Sequence, residues 1–265
     1  GYVAAKRHVF DNQRSADVAV IGIDDAESRL VADQLATSGR VVVTVTIGRA
    51  DPDSLSVVDG RLRDPRAGAD IDLRPIKTLP GAHNWQNAAC AYGACRALGL
   101  TVDAIAGGLA TYPGLAHRQE RVAVVDGMVY INDSKATNAD AAAKALAAYD
   151  TIYWVVGGTA KAEGIAPLAP LFGRVAHAFL VGASSDAFAT TLDGKVPYTR
   201  CGDLASAVRA AHALVSNERR AGAVVLLSPA CASYDQWPNF EVRGDAFRGM
   251  ARALPGAVVE QGAAA

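Results

Sequence analysis

Tyr130-Ile-Asn-Asp-Ser-Lys-Ala-Thr-Asn138 decides the fold of the chain's second half. Immediately upstream, Val122-Ala-Val-Val-Asp-Gly-Met-Val-Tyr130 holds two apolar runs joined at Asp126-Gly127. That dipeptide accepts the left-handed backbone of a two-residue turn, so the runs predict a hairpin. Downstream, Ala139 to Tyr149 is an alanine-rich helical stretch with Asn138 placed as its N-cap. The connection Asn132–Asn138 between strand and helix has six polar residues out of seven. It brings an acid, an amine and two hydroxyls to a helix N-terminus with exposed backbone N–H groups, a combination suited to an anion or a sugar. A capped loop with surface polar groups accounts for the same residues, and this stretch alone does not separate the two readings.

From here toward the carboxyl terminus, strands and helices alternate. Strand Ile152–Val156 ends in Gly157-Gly158-Thr-Ala-Lys161, followed by helix Ile165–Leu171 and strand Ala176–Val181. Helix Asp186–Leu192, strand Val196–Thr199 and helix Leu204–Asn217 come next. Strand Ala223–Leu227 ends in Ser228-Pro-Ala-Cys-Ala-Ser233, and helix Phe240–Ala253 closes the pattern before an alanine-rich tail, expected to fray beyond Gly256. This spacing predicts a doubly wound, mostly parallel α/β sheet. Ligands of such sheets sit beyond the carboxyl ends of strands, where Asn132–Asn138, Gly157–Lys161 and Ser228–Ser233 all fall. Their convergence predicts a crevice holding Lys135, Thr137, Lys161 and Ser233, suited to a small carboxylate-bearing ligand.

Toward the amino terminus, the apolar run Val18–Asp24 is expected as a buried parallel strand, followed by helix Ala26–Ser38 and strand Val41–Ile47. Residues 50–80 read as irregular, with a hairpin at Asp59-Gly60 and short strands around Ile71, Leu73 and Ile76. Helices Trp85–Leu98 and Val102–Leu109 follow, and Tyr112-Pro-Gly-Leu115 breaks the pattern. Two domains are therefore expected, 1–113 and 114–265. The chain starts at Gly1 without methionine, inside a helical pattern over Tyr2–Phe10, as expected of a piece of something longer.

With 265 residues, 51% apolar and 20% charged, the chain has enough material for one large or two ordinary cores. A net charge of -1 and the lack of any basic run argue against nucleic acid as partner. The sequence shows neither a bilayer-length apolar stretch nor a secretory leader pattern, so a cytoplasmic protein without membrane insertion is expected. Four cysteines without CxxC spacing point to reduced thiols rather than zinc or disulfides. The sequence contains no GxxxxGK[ST] phosphate loop, no GxSxG and no HExxH, and Gly157-Gly158 is not a GxGxxG fingerprint, which disfavours a dehydrogenase. Bland explanations remain open for single residues. Lys6 fits a solvated helix lysine, His8, His177 and His212 fit surface or core positions, and capping explains at least one of Asn84 and Asn87. His117-Arg118 fits a structural salt bridge as well as a ligand contact. Tyr234, Trp237 and Phe240 fit core aromatics or the wall of a pocket.

Several segments, taken together, resemble the Mur ligases. They are Tyr2-Val-Ala-Ala-Lys6, Gly81-Ala-His-Asn-Trp-Gln-Asn87, Gly114-Leu-Ala-His-Arg118, Asn132-Asp-Ser-Lys-Ala-Thr-Asn138, Gly157-Gly-Thr-Ala-Lys161 and Leu227-Ser-Pro-Ala-Cys-Ala-Ser-Tyr-Asp-Gln236 with Asn239-Phe240. They stand in family order over nearly the whole chain, and the Ser-Pro-Ala-Cys-Ala-Ser block is that of the members that add D-glutamate. The resemblance implies the rear part of a central ATPase domain in 1–113 and a Rossmann-like carboxyl-terminal domain in 114–265 that binds the incoming amino acid. It implies an ATP-dependent amide ligase of peptidoglycan precursor synthesis, joining D-glutamate to UDP-N-acetylmuramoyl-L-alanine through an acyl phosphate, with Mg²⁺. Such a site must neutralise two neighbouring anions, which suits a hard cation and lysines.

By the same resemblance Lys6, Lys135 and Lys161 are catalytic, and Lys6 becomes a magnesium ligand when carbamylated. Asn84 and Asn87 lie near adenine, Arg118 reaches the nucleotide phosphates, and Asp133 holds the ribose hydroxyls. Lys135, Thr137, Lys161, Ser233, Tyr234 and Phe240 bind D-glutamate. ATP would then bridge the domains and couple binding to closure. The chain departs from the family in lacking the amino-terminal UDP-binding domain, the phosphate loop and the upstream glutamate and histidine metal ligands. Thr159 stands where an acid is common, and Tyr234 is bulkier than the usual aliphatic residue. A fragment with little activity alone is therefore expected, its partner being the missing amino-terminal part of the same polypeptide. A non-catalytic module binding D-glutamate or an adenine nucleotide is the alternative.

Overall fold

Residues 1–259 are described by the computed structural model, and their contacts divide the chain into two units, Gly1–Tyr112 and a second beginning at Pro113. In the first unit, helix α1 (Tyr2–Arg7) runs into a 3₁₀ turn at His8–Phe10. Strands β1 (Val18–Gly22), β2 (Val41–Ile47) and β3 (Leu55–Val58) pair in parallel. Strands β4 (Arg61–Asp64) and β5 (Ala69–Asp72) continue the sheet antiparallel in the order β1-β2-β3-β4-β5. Helix α2 (Ala26–Thr37), capped by Asp25 through the Ser28 N–H at 2.8 Å, buries Val31 and Leu35 with Ala19 and Ile21. Helices α3 (Ala82–Ala97) and α4 (Val102–Ala110) share a second cluster with Val45, Leu55, Val57, Leu62 and Tyr92.

Three expectations for this unit are corrected. Residues 50–80 are more regular than expected, because β3, β4 and β5 run through them; the hairpin at Asp59-Gly60 joins β3 to β4 and Ile71 lies on β5 as expected, while Leu73 and Ile76 lie on no strand. Arg61 Nε bonds Asp70 Oδ1 at 2.9 Å across β4 and β5, so cross-strand ion pairs replace the apolar alternation that marks a strand. β1 is a parallel strand, but it stands at the edge of the described sheet and buries only alternate residues, so it is half-buried. Helix α3 begins at Ala82, with Gly81 as N-cap at φ 83 and no side-chain cap. Neither asparagine caps it, and Asn84 Nδ2 instead donates to the Pro80 carbonyl at 2.7 Å.

The second unit opens with the hairpin β6 (Glu120–Val125) and β7 (Met128–Asn132), turning at Asp126 and Gly127 with φ 50 and 82. Helix α5 (Ala139–Leu146), strand β8 (Ile152–Gly157), a 3₁₀ segment (Ala166–Arg174) and strand β9 (Val175–Val181) follow. The expected helix at Ile165–Leu171 is 3₁₀ rather than α, since Pro167 and Pro170 remove N–H donors and crowd the preceding turn. The chain continues through helix α6 (Ser185–Leu192), strand β10 (Tyr198–Gly202), helix α7 (Leu204–Glu218), strand β11 (Val224–Leu227) and helix α8 (Phe240–Arg252). Part of the tail expected to fray is ordered, because β12 (Ala257–Val258) pairs antiparallel with β6; residues 260–265 lie outside the described residues.

The sheet order is β10-β9-β8-β11-β7-β6-β12, with the five strands from β10 to β7 parallel. Helices α5 and α6 and the 3₁₀ segment pack on one face around Trp154 and Leu180, while α7 and α8 cover the other around Tyr130 and Phe179. β7 and β8 therefore send their connections to one face, and β11 between them sends its own to the other. Both gaps beside β11 are topological switch points, where such sheets place their ligands. Among the described residues no helix is long and apolar enough to cross a membrane.

Candidate functional site

Three adjacent strands, β8, β11 and β7, end in the three polar loops, and backbone bonds tie those loops together. The Asp133 N–H donates to the Leu227 carbonyl at 2.7 Å and the Gly157 N–H to that of Pro229 at 3.1 Å. Thr159 and Ala232 exchange N–H···O bonds of 2.9 and 3.0 Å. The approach needs glycine. A Cβ on Gly157, at φ 134, would stand 1.9 Å from the Val181 carbonyl oxygen, and one on Gly158, at φ 130, would stand 2.3 Å from that of Ala232.

Around this junction polar side chains are buried, and most of their polar atoms are hydrogen-bonded. Asp133, 7% exposed, accepts from the Gln119 N–H at 3.2 Å and from Ser228 Oγ at 2.8 Å. Burial pushes its carboxyl up to about 7, against the opposing pull of those two hydrogen bonds and the Arg118 charge. Asn132 Nδ2 donates to Glu120 Oε2 at 2.9 Å and to the Gly244 carbonyl at 3.2 Å, and lies 3.1 Å from His117 Nδ1. Glu120 is gripped from the other side by Arg248, Nε to Oε1 at 2.8 Å and Nη2 to Oε2 at 2.9 Å, a two-pronged charge-assisted pair. The His117 N–H also donates to Glu120 Oε2, at 3.0 Å, and holds His117 at φ 61. Gly244 has no alternative, because a Cβ there would meet His117 Nδ1 at 2.2 Å.

The sequence-derived residues divide into those the fold gathers and those it leaves apart. Lys135 is exposed, with Nζ 3.9 Å over the half-buried Phe240 ring at the start of α8, and its N–H donates to the His117 carbonyl at 3.1 Å. Thr137 is half-buried and its N–H donates to the Lys135 carbonyl at 2.9 Å. Lys161 is exposed and Ser233 buried, on the two loops joined by the Thr159–Ala232 pair. Tyr234 is 75% exposed and belongs to no core, whereas Trp237 packs half-buried against the α7–α8 face. His117 makes no tight ion pair, its Nε2 lying 3.7 Å from Asp245 Oδ1. Arg118 is exposed beside Asp133. In the first unit Lys6 on α1 and Asn87 on α3 are exposed, and Asn84 spends one amide proton on Pro80.

Sequence reading gave the scaffold no role: Glu120, Arg243, Gly244 and Arg248 were not singled out, and Asn132, Ser134 and Ser228 entered only as members of the polar loops. One signal was available. Arg243, Phe247 and Ala251 are four residues apart on α8, and all three are buried, so a guanidinium sits on an apolar stripe.

The donor set does not by itself suit a divalent cation. Among the described residues no group of three or more His, Cys, Asp or Glu side chains converges on one point, and Lys6, even carbamylated, would bring a single hard ligand where magnesium needs several oxygens. A nucleotide ribose fits Asp133 only by sharing oxygens that already accept two hydrogen bonds.

A family model described as "Mur ligase, glutamate ligase domain" matches residues 117–231. The UDP-N-acetylmuramoylalanine–D-glutamate ligase of Paramagnetospirillum magneticum is 52% identical over 265 residues, covering 100% of this chain and 57% of that protein. The protein of the same name from Rhodospirillum rubrum is 50% identical over 258 residues, 96% of this chain and 54% of its own length. The chain thus spans a little over half the length of these relatives. In fold it is similar to MurF from Acinetobacter baumannii, with TM-score 0.64, 18% identity, and coverage of 94% of this chain and 56% of that one. MurF ligase from Thermotoga maritima, solved in complex with ADP, gives TM-score 0.63 at 16% identity, covering 93% and 56%. Half the chain's residues are shared along its whole length with such ligases, and its second unit carries the match to the glutamate ligase domain of the Mur ligases.

Proposed function

We propose that this chain is the carboxyl-terminal part of a cytoplasmic, ATP-dependent ligase that joins D-glutamate to UDP-N-acetylmuramoyl-L-alanine in peptidoglycan precursor synthesis. The observation that carries the reading is the 52% identity with a ligase of that name over every residue of the chain. ATP, when bound, supplies the phosphoryl group that activates the substrate carboxylate. The chain's own residues bind and orient the incoming amino acid. Lys135, steadied over Phe240, and Lys161 on the neighbouring loop are cations fit for the carboxylates of D-glutamate. Thr137 and Ser233 add hydroxyls. Tyr234, largely in solvent, has the weakest claim among the proposed amino-acid ligands.

Arg118 and Asp133 are assigned to the nucleotide, and Asn84 and Asn87 to its adenine. The reading places Mg²⁺ with Lys6 as carbamate and with ligands outside this set. The domains are assigned as 1–113 for the central ATP-binding part and 114–265 for the amino-acid-binding part. No phosphate loop motif occurs in the sequence, so the chain alone is expected to hydrolyse no ATP. The test is made in the complete ligase polypeptide carrying this chain. Lys161→Ala should raise KM for D-glutamate about tenfold or more while KM for ATP moves less than twofold. Equal, small changes in both would remove Lys161 from the amino-acid site, and wild-type polypeptide indifferent to D-glutamate would sink the assignment as a whole.

A further inference from the structure

Arg243 is the one guanidinium of the second unit that is almost wholly buried, at 3% exposure, and no carboxylate lies within ion-pair distance of it among the described residues. A charge in that position is costly, and folds rarely keep one without a use for it. Its bonds show where it acts. Nε donates to Ser134 Oγ at 3.0 Å, and Nη2 donates to the Ser134 carbonyl at 2.9 Å and the Cys231 carbonyl at 3.1 Å. Ser134 Oγ in turn donates to the Phe240 carbonyl at 2.8 Å. The remaining nitrogen, Nη1, is buried with no hydrogen-bond partner among the described residues, and lies 3.4 Å from the point where a Cβ on Gly158 would stand. One side chain therefore bonds the loop after β7 and the loop after β11, lies close to Gly158 in the loop after β8, and reaches the first residue of its own helix through Ser134.

We propose that Arg243 is the positioning residue of the amino-acid subsite, setting the spacing between the loops that carry Lys135, Lys161, Ser233 and Phe240. The proposal rests on the amino-acid-adding reading above. Four of the side chains assigned to the amino acid lie near residues that Arg243 bonds or approaches. Lys135 follows Ser134, Ser233 lies two residues beyond Cys231, Phe240 is bonded through Ser134 Oγ, and Lys161 lies three residues beyond Gly158. A planar fork suits this task, because three acceptors on two loops are met by one rigid group. A lysine in its place keeps the charge and loses the geometry, since its donors radiate from a single point. The positive charge, shielded from salt by burial, also adds to the field that an anionic amino acid meets between the two exposed lysines.

The test is steady-state kinetics on the complete ligase polypeptide with Arg243→Lys and Arg243→Met, each checked for folding by circular dichroism. Both variants should raise KM for D-glutamate, about tenfold for Lys and more for Met, with KM for ATP within twofold of wild type. A role confined to holding the fold would instead lower kcat and melting temperature and shift every KM together, and that result overturns the proposal. If neither variant folds, Ser134→Ala decides. It removes the Nε acceptor and the link to Phe240 while leaving the guanidinium in place, and should give the same selective rise at about threefold; an unchanged KM for D-glutamate there overturns the proposal too. Failure of the underlying reading looks different. Wild-type polypeptide would then show no dependence on D-glutamate at all, whereas a D-glutamate-dependent wild type with an equal KM in Arg243→Lys rejects Arg243 alone.

Discussion

The two units end their parallel strands in contrasting ways. In the second, the loops after β7, β8 and β11 are bonded to one another, and Asn132, Asp133, Ser134, Ser228, Ser233 and Arg243 are buried among them. In the first, the ends of β1 and β2 are held chiefly by one carboxylate. Asp24 accepts from Thr46 Oγ1 at 2.7 Å, from the Ile47 N–H at 3.1 Å and from Gln86 Nε2 at 2.5 Å. The residues assigned there to nucleotide and metal, Lys6 and Asn87, stand in solvent. Buried polar groups bonded to one another fix a site before any ligand arrives, whereas exposed side chains are held less firmly. A substitution at the second unit's junction should therefore be felt throughout that unit, and one on the first unit's exposed face should not.

Gly157→Ala is the strongest way to break that contrast. The new Cβ would meet the Val181 carbonyl oxygen at 1.9 Å, from a backbone at φ 134 that other residues rarely adopt. Neither atom can yield, since Val181 is the last residue of β9 and pairs with Gly157 itself. The expected cost is about 4 kcal/mol or more. Amide hydrogen exchange should show β7, β8, β9 and β11 losing protection while β1 to β3 keep theirs. Equal loss in both sheets would mean that the units do not stand independently, and the contrast would dissolve.

Much of the second unit was legible in the sequence because its signals are local. Asn138 caps α5 through the Ala141 N–H, and Asp126-Gly127 turns the hairpin as its composition requires. The placement of three polar loops at adjacent strand ends followed from the alternation alone. Other features depend on residues distant in sequence. Gly244 is required by the His117 ring, Asn132 by Glu120 and the Gly244 carbonyl, and Gly157 by Val181, none of which a period or a cap announces. In the first unit the Asp59-Gly60 turn and a strand at Ile71 were legible, but the extent and pairing of β4 and β5 were not, because several of their cross-strand partners are arginine and aspartate, which a reading based on apolar alternation passes over. The roles of Lys6, Asn84 and Asn87 were legible only through resemblance, since no local period or cap points to them.

Asp133 sharpens the comparison through pH. Its carboxyl is raised to about 7 by burial, so folding favours the protonated form. That contribution is complete below the unfolded value near ~3.9, declines as pH rises, and is gone once pH passes about 7. An amide at this position does not titrate. Relative to Asp133→Asn, the wild-type second unit should lose about 3 kcal/mol between pH 4.5 and 8, measured by urea unfolding. Parallel stability curves for the two proteins would show that the carboxyl is ionised and adequately solvated throughout, and the picture of a dry junction would fail there.

The smallest effect is expected on the first unit, at Gly107. It lies inside α4 with no positive φ, and a Cβ built on it has no atom within 4 Å beyond the helix's own backbone. A glycine in that setting contributes only chain entropy to the unfolded state and a poor helix propensity to the folded one. Gly107→Ala should therefore stabilise the first unit by up to about 1 kcal/mol. The neighbouring Gly108 is equally open, so the double substitution should come close to the sum. The sign of the effect is what tests the contrast. Glycines of the second unit's junction are there because another chain segment occupies the space, and alanine at Gly157 must destabilise. In α4 nothing among the described residues claims that space, and alanine must help. A loss of stability in Gly107→Ala, seen as a lower melting temperature with unchanged circular dichroism, would mean that this open face of α4 is occupied in the working protein.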